Sequence, residues 1–312
     1  MTSTTPSDLE RNVTRRHDDR PFQGIALLIG STLFLAASDS LAKYLSATMP
    51  STEIAWIRFA VFVLILLPIA LSSGSSPLRS HRPMLQILRG LTLVFSSLLF
   101  ITGLRYLPIA EASATSFVAP LFVTALSIVI LAERVGGRRW LATLVGLLGV
   151  LIVVRPGTAA FDPASLLPIG AAFLWALTLV MTRMISGADR TVTTMAFSAI
   201  VGFVVLSVLV PFVWVMPSWR DLALAVGVGV ASTAGQWMVV LAFRHADASV
   251  LAPFSYVQLV WVTVIGLLVF AEMPDLWTFV GAAFIIGSGL YTAHRERLRR
   301  LRPIAAEPNP NA

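Results

Sequence analysis

Hydrophobic residues occur along this chain in long runs, without the short-period alternation of half-buried helices or strands. A helix needs roughly 20 residues to cross a bilayer core of about 30 Å. Runs near that length lie at residues 23–46, 52–72, 84–104, 109–131, 137–154, 164–185, 191–214, 221–243, 248–270 and 276–293. The loops between them are short and contain glycine, proline and serine, as at 72–77 and 155–157. The pattern predicts an all-α integral membrane protein with ten transmembrane helices.

The composition agrees with a membrane protein, because only 12% of residues are charged and 56% are hydrophobic, whereas a soluble domain has roughly 25% charged residues. The net charge of +7 would suggest nucleic acid in a soluble protein, but here 17 of the 23 basic residues fall on one side of the predicted topology. By the positive-inside rule, both termini are cytoplasmic. We therefore expect the lipid bilayer as a partner and no nucleic acid.

The two halves of the chain match each other at a constant offset of about 140 residues. The matched pairs are Lys43 with Arg183, Arg105 with Arg244 and Glu133 with Glu272; Pro120 and Pro253 each interrupt a span between the last two pairs, at a local offset of 133. Each half holds five helices, so the second half must enter the membrane inverted. The expected organisation is a polar N-tail at 1–21, repeats at 22–156 and 164–294, and a basic C-tail at 295–312. Inverted repeats are typical of secondary transporters whose substrate site lies near the midplane.

The chain resembles the EamA family of the drug/metabolite transporter superfamily over most of residues 24–291. The similarity rests on the segments Glu53–Phe59, Arg105–Pro108, Leu131–Arg134, Phe270–Glu272 and Gly281–Leu290. This resemblance implies a multi-pass carrier of the bacterial inner membrane, similar in length and layout to amino-acid exporters of the YddG type. It also implies that spans 1, 3, 4, 6, 8 and 9 enclose a central cavity.

The expected function is export of amino acids, including aromatic ones, by alternating access. Carriers of nucleoside-like solutes, S-adenosylmethionine-like solutes or drugs are the alternatives, and an intramembrane enzyme is a distant one. The chain has no cysteine and no Gly-x-x-x-x-Gly-Lys-Ser/Thr motif, and its four histidines fall at helix ends or in tails. We therefore expect no catalytic residues, no metal and no cofactor. The oligomeric state is left open by the sequence, which is compatible with a monomer.

Ionisable side chains inside spans are costly and often functional. Asp39 and Lys43 are one helical turn apart, which favours an ion pair; this pair is either structural or engages the charged ends of a zwitterionic substrate. Arg89, with Ser96 on its helix face, could clamp a carboxylate or anchor span 3 at the interface. For Arg58 in span 2 a structural role is expected.

The remaining candidate site residues are uncharged and lie on four spans. They are Ser113, Ser116 and Pro120 on span 4, Trp175 on span 6, Gln236 and Trp237 on span 8, and Pro253, Ser255, Tyr256 and Gln258 on span 9. Hydroxyls in membrane helices also serve as packing contacts, which is the alternative for the serines. A cavity with several aromatic residues and few charges favours medium-sized, partly apolar solutes.

Overall fold

The computed structural model describes residues 21–72, 80–132, 137–185, 188–246 and 248–301, and these residues form α-helices joined by short connections. The first half contains α1 (Pro21–Leu45), α2 (Ser51–Ser72), α3 (Pro83–Tyr106), α4 (Ile109–Ser116), α5 (Ala119–Leu131) and α6 (Gly137–Val154). The second half contains α7 (Leu166–Ile185), α8 (Thr191–Leu209), α9 (Trp219–His245), α10 (Ala248–Ser255), α11 (Val257–Phe270) and α12 (Leu276–Leu301). Single 3₁₀ turns at Pro163–Ser165 and Val210–Phe212 extend α7 and α8.

These helices make ten spans, as the hydrophobic runs predict. Seven helical stretches are long and apolar enough to cross a membrane, and three shorter apolar helices complete the set. Large apolar side chains face outward on them, with Leu64 72%, Val129 82% and Leu268 77% exposed. Because burial of these side chains in hydrocarbon is favourable, the outward faces fit a lipid environment. The last helix continues to Leu301, beyond the predicted end of its span at residue 293.

Spans 4 and 9 are each divided into two helices. In span 4, α4 ends at Ser116 and α5 begins at Ala119, with Pro120 in its first turn, where the missing N–H costs nothing. In span 9 the division falls at Tyr256, and Pro253 lies before it, inside α10. Broken helices at equivalent places in two repeats are a mark of secondary transporters, whose binding sites lie at such breaks.

Helix packing has the symmetry of an inverted repeat. The helix α1 packs along α9. The repeat equivalent of α1 is α7 and that of α9 is α3, and these two helices pack on each other in the same way. The helices α2 and α8 pack on each other, and so do α6 and α12; in each case the two helices are equivalents from the two halves. The fold is therefore two five-span repeats that interlock.

The contact between α6 and α12 is a close approach of two glycines. A Cβ on Gly149 would lie 2.7 Å from the carbonyl oxygen of Gly281, and a Cβ on Gly281 would lie 2.5 Å from that of Gly149. Small residues allow helix backbones to approach in this way. The small residue Gly146, one turn after Ala142 on α6, also packs against another helix of the same chain, because a Cβ on Gly146 would meet Ser288 on α12.

The bundle has two ends that differ in structure. We call the end that carries Pro21 and Leu301 the terminal end, and the other, which carries the turns after Leu45 and Tyr106, the opposite end. The predicted N-tail residues 1–20, the last part of the predicted C-tail (302–312), Glu133 and Arg134 lie outside the described residues.

Candidate functional site

A cavity of about 600 Å³ lies between the two repeats, where the breaks of spans 4 and 9 face α7 and α12. Its lining includes seven of the predicted site residues: Ser113, Ser116, Pro120, Trp175, Ser255, Tyr256 and Gln258. It runs from the two breaks toward the terminal end, where Thr143, Arg183 and Thr292 line it. Pro120, Trp175 and Tyr256, which come from three different helical segments, therefore converge on one space.

Aromatic rings form one wall of the cavity. Phe117 and Tyr256 stand at the two breaks, with their ring centroids 5.0 Å apart and their planes tilted by 34°. Trp175 from α7 and Phe100 from α3 also line the space. Phe117 was not among the predicted site residues; its position just after the end of α4, matched by Tyr256 just before α11, is the signal that could have found it.

The polar lining consists mainly of hydroxyl groups that already donate to their own helices. Thr124 donates to the carbonyl of Pro120 at 2.9 Å, and Thr292 donates to that of Ser288 at 2.9 Å. Such hydroxyls keep lone pairs with which to accept hydrogen bonds. Ser113 differs, because its oxygen is buried and has no hydrogen-bond partner among the described residues. The cavity thus offers acceptors together with the hydroxyl of Ser113, which can donate.

Arg183 brings a positive charge to the terminal end of the cavity. It lies in the last turn of α7 and donates from Nη1 to the hydroxyl of Ser127 at 3.2 Å. Among the described residues that line the cavity it is the charged one, and it has interactions beyond this hydrogen bond. Arg183 was not among the predicted site residues; its repeat match to Lys43, which was, is the signal that could have found it.

The predicted ion pair between Asp39 and Lys43 is wrong. Lys43 is bound instead to Glu272 at the end of span 9, with Nζ and Oε1 2.8 Å apart. Its ammonium group also donates to the carbonyls of Leu107 at 2.6 Å and Leu104 at 3.3 Å. The flexible lysine side chain extends along the helix toward the membrane surface, and this takes it away from Asp39. Both residues lie outside the cavity lining.

Glu272 connects this contact to the beginning of span 4. Its second oxygen, Oε2, accepts a hydrogen bond from the backbone N–H of Ile109, the first residue of α4, at 3.1 Å. A carboxylate at a helix N-terminus is stabilised by the unpaired N–H groups and the helix dipole. Lys43 and Glu272 therefore tie α1, α3, α4 and the end of α11 together and close the opposite end.

Asp39 lies behind the cavity wall. It is buried, with 9% of its surface exposed, and its Oδ2 accepts a hydrogen bond of 3.3 Å from Nε2 of Gln258, which lines the cavity. Arg58 supplies the attracting positive charge and donates from Nε to the hydroxyl of Ser232 at 2.9 Å. Asp39 thus positions Gln258, and the buried charges are compensated.

Arg89 and Ser96 join helices at a distance from the cavity lining. The Nε of Arg89 donates to the hydroxyl of Thr182 at 2.6 Å, and Nη1 bonds to Ser198 and to the carbonyl of Thr194. Ser96 donates to the carbonyl of Ala171 at 2.8 Å. Arg89 therefore connects α3 to both α7 and α8, and its role as a carboxylate clamp stays a prediction.

Three more predicted residues are not among the described residues that line the cavity. Gln236 and Trp237 lie on α9, half-buried, and do not line the cavity. Pro253 lies in α10, and its side chain is outside the described part of the chain. Their assignment to substrate binding stays a prediction.

The model of the EamA-like transporter family matches residues 22–155 and 163–292, that is, each of the two repeats. The chain belongs to the EamA-like transporter family. Its two matched regions correspond to the five-span halves of the structure, so the family explains the interlocked fold. The family and its named relatives are transporters rather than enzymes, and this chain is a multi-pass secondary transporter of small metabolites.

Curated relatives cover nearly the whole chain. The riboflavin transporter of Vibrio cholerae is 33% identical over 299 residues, covering 91% of this chain and 98% of the relative. The S-adenosylmethionine uptake transporter of Rickettsia felis is 31% identical over 274 residues, covering 88% and 93%. The pseudopaline exporter CntI of Pseudomonas aeruginosa is 27% identical, covering 84% and 93%. The names of these relatives do not include amino acids.

A solved crystal structure has the same fold. It superposes with a TM-score of 0.62 and covers 89% of this chain and 98% of its own, at 19% sequence identity. At this identity the similarity supports the architecture alone.

Proposed function

We propose that this transporter carries a planar aromatic metabolite with a polar, hydrogen-bonding chain, a solute of the riboflavin type, through the cavity between the repeats. The observation that carries the proposal is the pairing of aromatic ring faces with hydroxyl and amide groups in one central space. Aromatic stacking is worth about 0.5–1.5 kcal/mol beyond burial. Hydroxyl and amide groups suit the polar chain of such a solute.

The size of the cavity supports a solute larger than most amino acids. Its volume of about 600 Å³ falls within the roughly 300–1,000 Å³ of sites for drug-sized ligands. A fused tricyclic ring with a short hydroxylated chain belongs to this class. In this proposal the lining residues Trp175, Phe117 and Tyr256 contact the ring, and Ser113 and Gln258 bond the chain.

The charge of the lining separates the candidate substrates. An S-adenosylmethionine-like solute is the second candidate, since four Rickettsia relatives of that name are 31% identical to this chain. Its sulfonium group is a fixed cation, however, and no carboxylate lies among the described lining residues to bind it. The predicted amino-acid substrate would present a carboxylate to Arg183, but its ammonium group meets no carboxylate in the described lining. A neutral or anionic aromatic solute is therefore favoured.

The proposal includes an orientation in the bacterial inner membrane, with the terminal end in the cytoplasm. The bias of basic residues toward the loops of that end supports it. The predicted direction, export, is kept as a prediction, because the relatives are named for both uptake and export. Labelling of single cysteines with an impermeant maleimide in intact cells tests the orientation, since the natural chain has no cysteine.

Counterflow in proteoliposomes tests the substrate. Vesicles containing the purified chain are loaded with unlabelled solute, and accumulation of radiolabelled riboflavin, S-adenosylmethionine or tryptophan is followed. We expect saturable riboflavin counterflow that protein-free vesicles lack. Counterflow of tryptophan alone would restore the amino-acid prediction, counterflow of S-adenosylmethionine alone would favour the second candidate, and no counterflow of any of the three would contradict the proposal.

A matched pair of tryptophan variants tests the cavity. Trp175→Ala removes a ring that lines the cavity and is expected to lower counterflow at least tenfold, whereas Trp175→Phe keeps a ring and most of the activity. Trp277 is 52% exposed on the outer surface, and Trp277→Ala serves as the control with expected activity near that of the wild type. Equal losses in Trp175→Ala and Trp277→Ala would contradict the role of the cavity.

A further inference from the structure

A second cavity, of about 680 Å³, lies at the opposite end of the bundle and takes no part in the site described above. We call it the vestibule. Its lining includes Lys43, Tyr44, Ala47, Arg105, Arg220 and Asp221. Three of these side chains are cationic and one is anionic, so the lining residues give the vestibule a net positive charge.

The convergence of cations is unusual for this end of the bundle. Basic residues are scarce there: the loops of the opposite end carry Arg105, Arg155 and Arg220. Two of the three line the vestibule, while Arg155 is ion-paired with Asp275, with Nη2 and Oδ2 2.5 Å apart. The positive-inside rule disfavours cations at the opposite end. Membrane topology therefore does not explain why two of them line a single cavity.

The vestibule groups are held in place, and their charge is only partly neutralised. Arg220 donates to the hydroxyl of Tyr44 at 3.2 Å and lies 5.8 Å from the centre of that ring. The carboxylate of Asp221 is engaged by the hydroxyl of Ser218 at 2.8 Å. No hydrogen bond or ion pair to Arg105 is found among the described residues. Two guanidinium groups that line one cavity, of which one is held by an aromatic ring, suit a carboxylate or a phosphate.

Lys43 links the vestibule to the closure of the opposite end, because it lines the vestibule and is also paired with Glu272. We propose that the vestibule is an anion-binding site for a carboxylate or phosphate group, and that an anion bound there competes with Glu272 for Lys43 and loosens the closure. The anion comes either from a solute or from the headgroup of a phospholipid. Neither source depends on the substrate proposed for the central cavity.

Charge-selective labelling tests the site. In the cysteine-free chain, Ala47→Cys introduces a thiol into the vestibule, and we compare its reaction rates with an anionic sulfonate and a cationic ammonium methanethiosulfonate in neutral phosphatidylcholine vesicles. We expect the anionic reagent to be favoured, and Arg105→Gln or Arg220→Gln to lower the ratio of rates about fivefold each. Arg155→Gln, the third cation of this end, is the matched control and should leave the ratio unchanged. A ratio that does not respond to Arg105 or Arg220 would overturn the proposal.

Protection against labelling identifies the source of the anion. Sodium phosphate and sodium acetate are added at constant ionic strength in neutral vesicles, and separately phosphatidylglycerol is included in the vesicles. Slower labelling with phosphate or acetate indicates a solute anion, and slower labelling only with phosphatidylglycerol indicates a headgroup; either supports the site. Absence of protection in both arms would overturn it.

The link to the closure is tested with a methanethiosulfonate added on the side of the membrane from which Ala47→Cys is labelled. In the Ser113→Cys variant, the thiol lies in the central cavity, beyond the closure. We expect Lys43→Gln, or phosphate with Lys43 intact, to raise labelling of Ser113→Cys from that side at least fivefold. Unchanged labelling in both would overturn the link. None of these measurements requires transport, so they can succeed or fail independently of the proposed substrate.

Discussion

Lys43 and Arg183 occupy equivalent positions in the two repeats but have different surroundings. Lys43 is bound to Glu272 and to two backbone carbonyls at the closed opposite end, with its side chain 11% exposed. Arg183 is exposed and lines the cavity near the terminal end. The two equivalent cations therefore have different partners: Lys43 binds a carboxylate at the opposite end, and Arg183 lines the cavity near the terminal end.

The centre of the molecule is more symmetric than its ends. The breaks of spans 4 and 9 both place an aromatic residue, Phe117 and Tyr256, against the cavity. Alternating access requires the two ends to differ, because the same central site must be reached from one side at a time. The equivalent cations of the two repeats thus have different surroundings, and the structure shows the contact of Lys43 with Glu272 at the opposite end.

Reversing the charge at the closed end should have the largest effect. Lys43→Glu places two carboxylates together where both side chains are less than a third exposed, and breaking a buried pair costs about 3–5 kcal/mol. We expect a loss of about 3 kcal/mol of unfolding free energy in thermal melting and at least a tenfold loss of counterflow.

The charge exchange and the repeat partner provide the controls for this prediction. Lys43→Glu combined with Glu272→Lys should recover most of the melting temperature. Arg183→Glu changes the equivalent but exposed residue and should cost less than about 1 kcal/mol, as for surface charges. Equal losses for Lys43→Glu and Arg183→Glu would show that the two ends are energetically alike.

Removing Arg89 should have the next largest effect, on folding. Arg89→Ala leaves the hydroxyls of Thr182 and Ser198 without the group that joins α3 to α7 and α8. Hydrogen bonds to a charged group contribute about 1.5–3 kcal/mol, so we expect a lower melting temperature and less folded protein. The exposed Arg82, bound to the carbonyl of Met184, provides a control in Arg82→Ala. A fully stable Arg89→Ala variant without transport would instead support the carboxylate clamp.

Two glycines on α12, of which one lies next to Tyr256, test the role of the aromatic residues at the two breaks. A Cβ on Gly289 would lie 1.7 Å from the hydroxyl oxygen of Tyr256, whereas a Cβ on Gly287 would meet nothing within 4 Å. Gly289→Ala should therefore displace the Tyr256 ring and weaken substrate binding by about 1 kcal/mol, roughly fivefold in half-saturation concentration. Gly287→Ala should leave it unchanged. The same value in both variants would remove Tyr256 from the site.

The smallest effect is expected at Asp189, in the loop between α7 and α8 at the terminal end. Burial opposes ionisation, but hydrogen bonds from Ser80, the His81 N–H at 2.9 Å and Gln86 at 2.9 Å hold the pKa of this carboxyl well below its ordinary value. A depressed pKa contributes stability above the unfolded pKa of about 3.9 and loses it as the pH falls through the folded value.

The variant Asp189→Asn should therefore melt a few degrees below the wild type at pH 7. The two melting curves should approach each other as the pH falls below about 4, because the carboxyl of the unfolded chain takes up a proton there while the folded one stays ionised until lower pH. A difference that stays constant with pH would show that the hydrogen bonds matter and the charge does not. Counterflow at pH 7 should be nearly the same in both, because the loop lies away from the cavity.

Local signals in the sequence predicted much of the fold and seven of the described residues that line the cavity. The hydrophobic runs determined the spans, because a membrane helix must hide its backbone over the full thickness of the bilayer. Pro120, Trp175, Tyr256 and Gln258 could be found because prolines and polar or aromatic residues stand out in apolar runs. Arg89 stands out equally, but it bonds to Thr182 and its neighbours, because any buried cation needs partners whether or not a substrate is near.

The sequence alone determined that this chain spans the membrane ten times in two inverted halves, since hydrophobic length and the repeat offset are properties of the chain itself. Only the tertiary structure decided which partner each charged group takes. Lys43 pairs with Glu272, more than 200 residues away in the sequence, and Asp39 with Gln258, although one helical turn separates Asp39 from Lys43. Side-chain partners depend on which helices pack together and how far each side chain extends, and no local spacing contains this information.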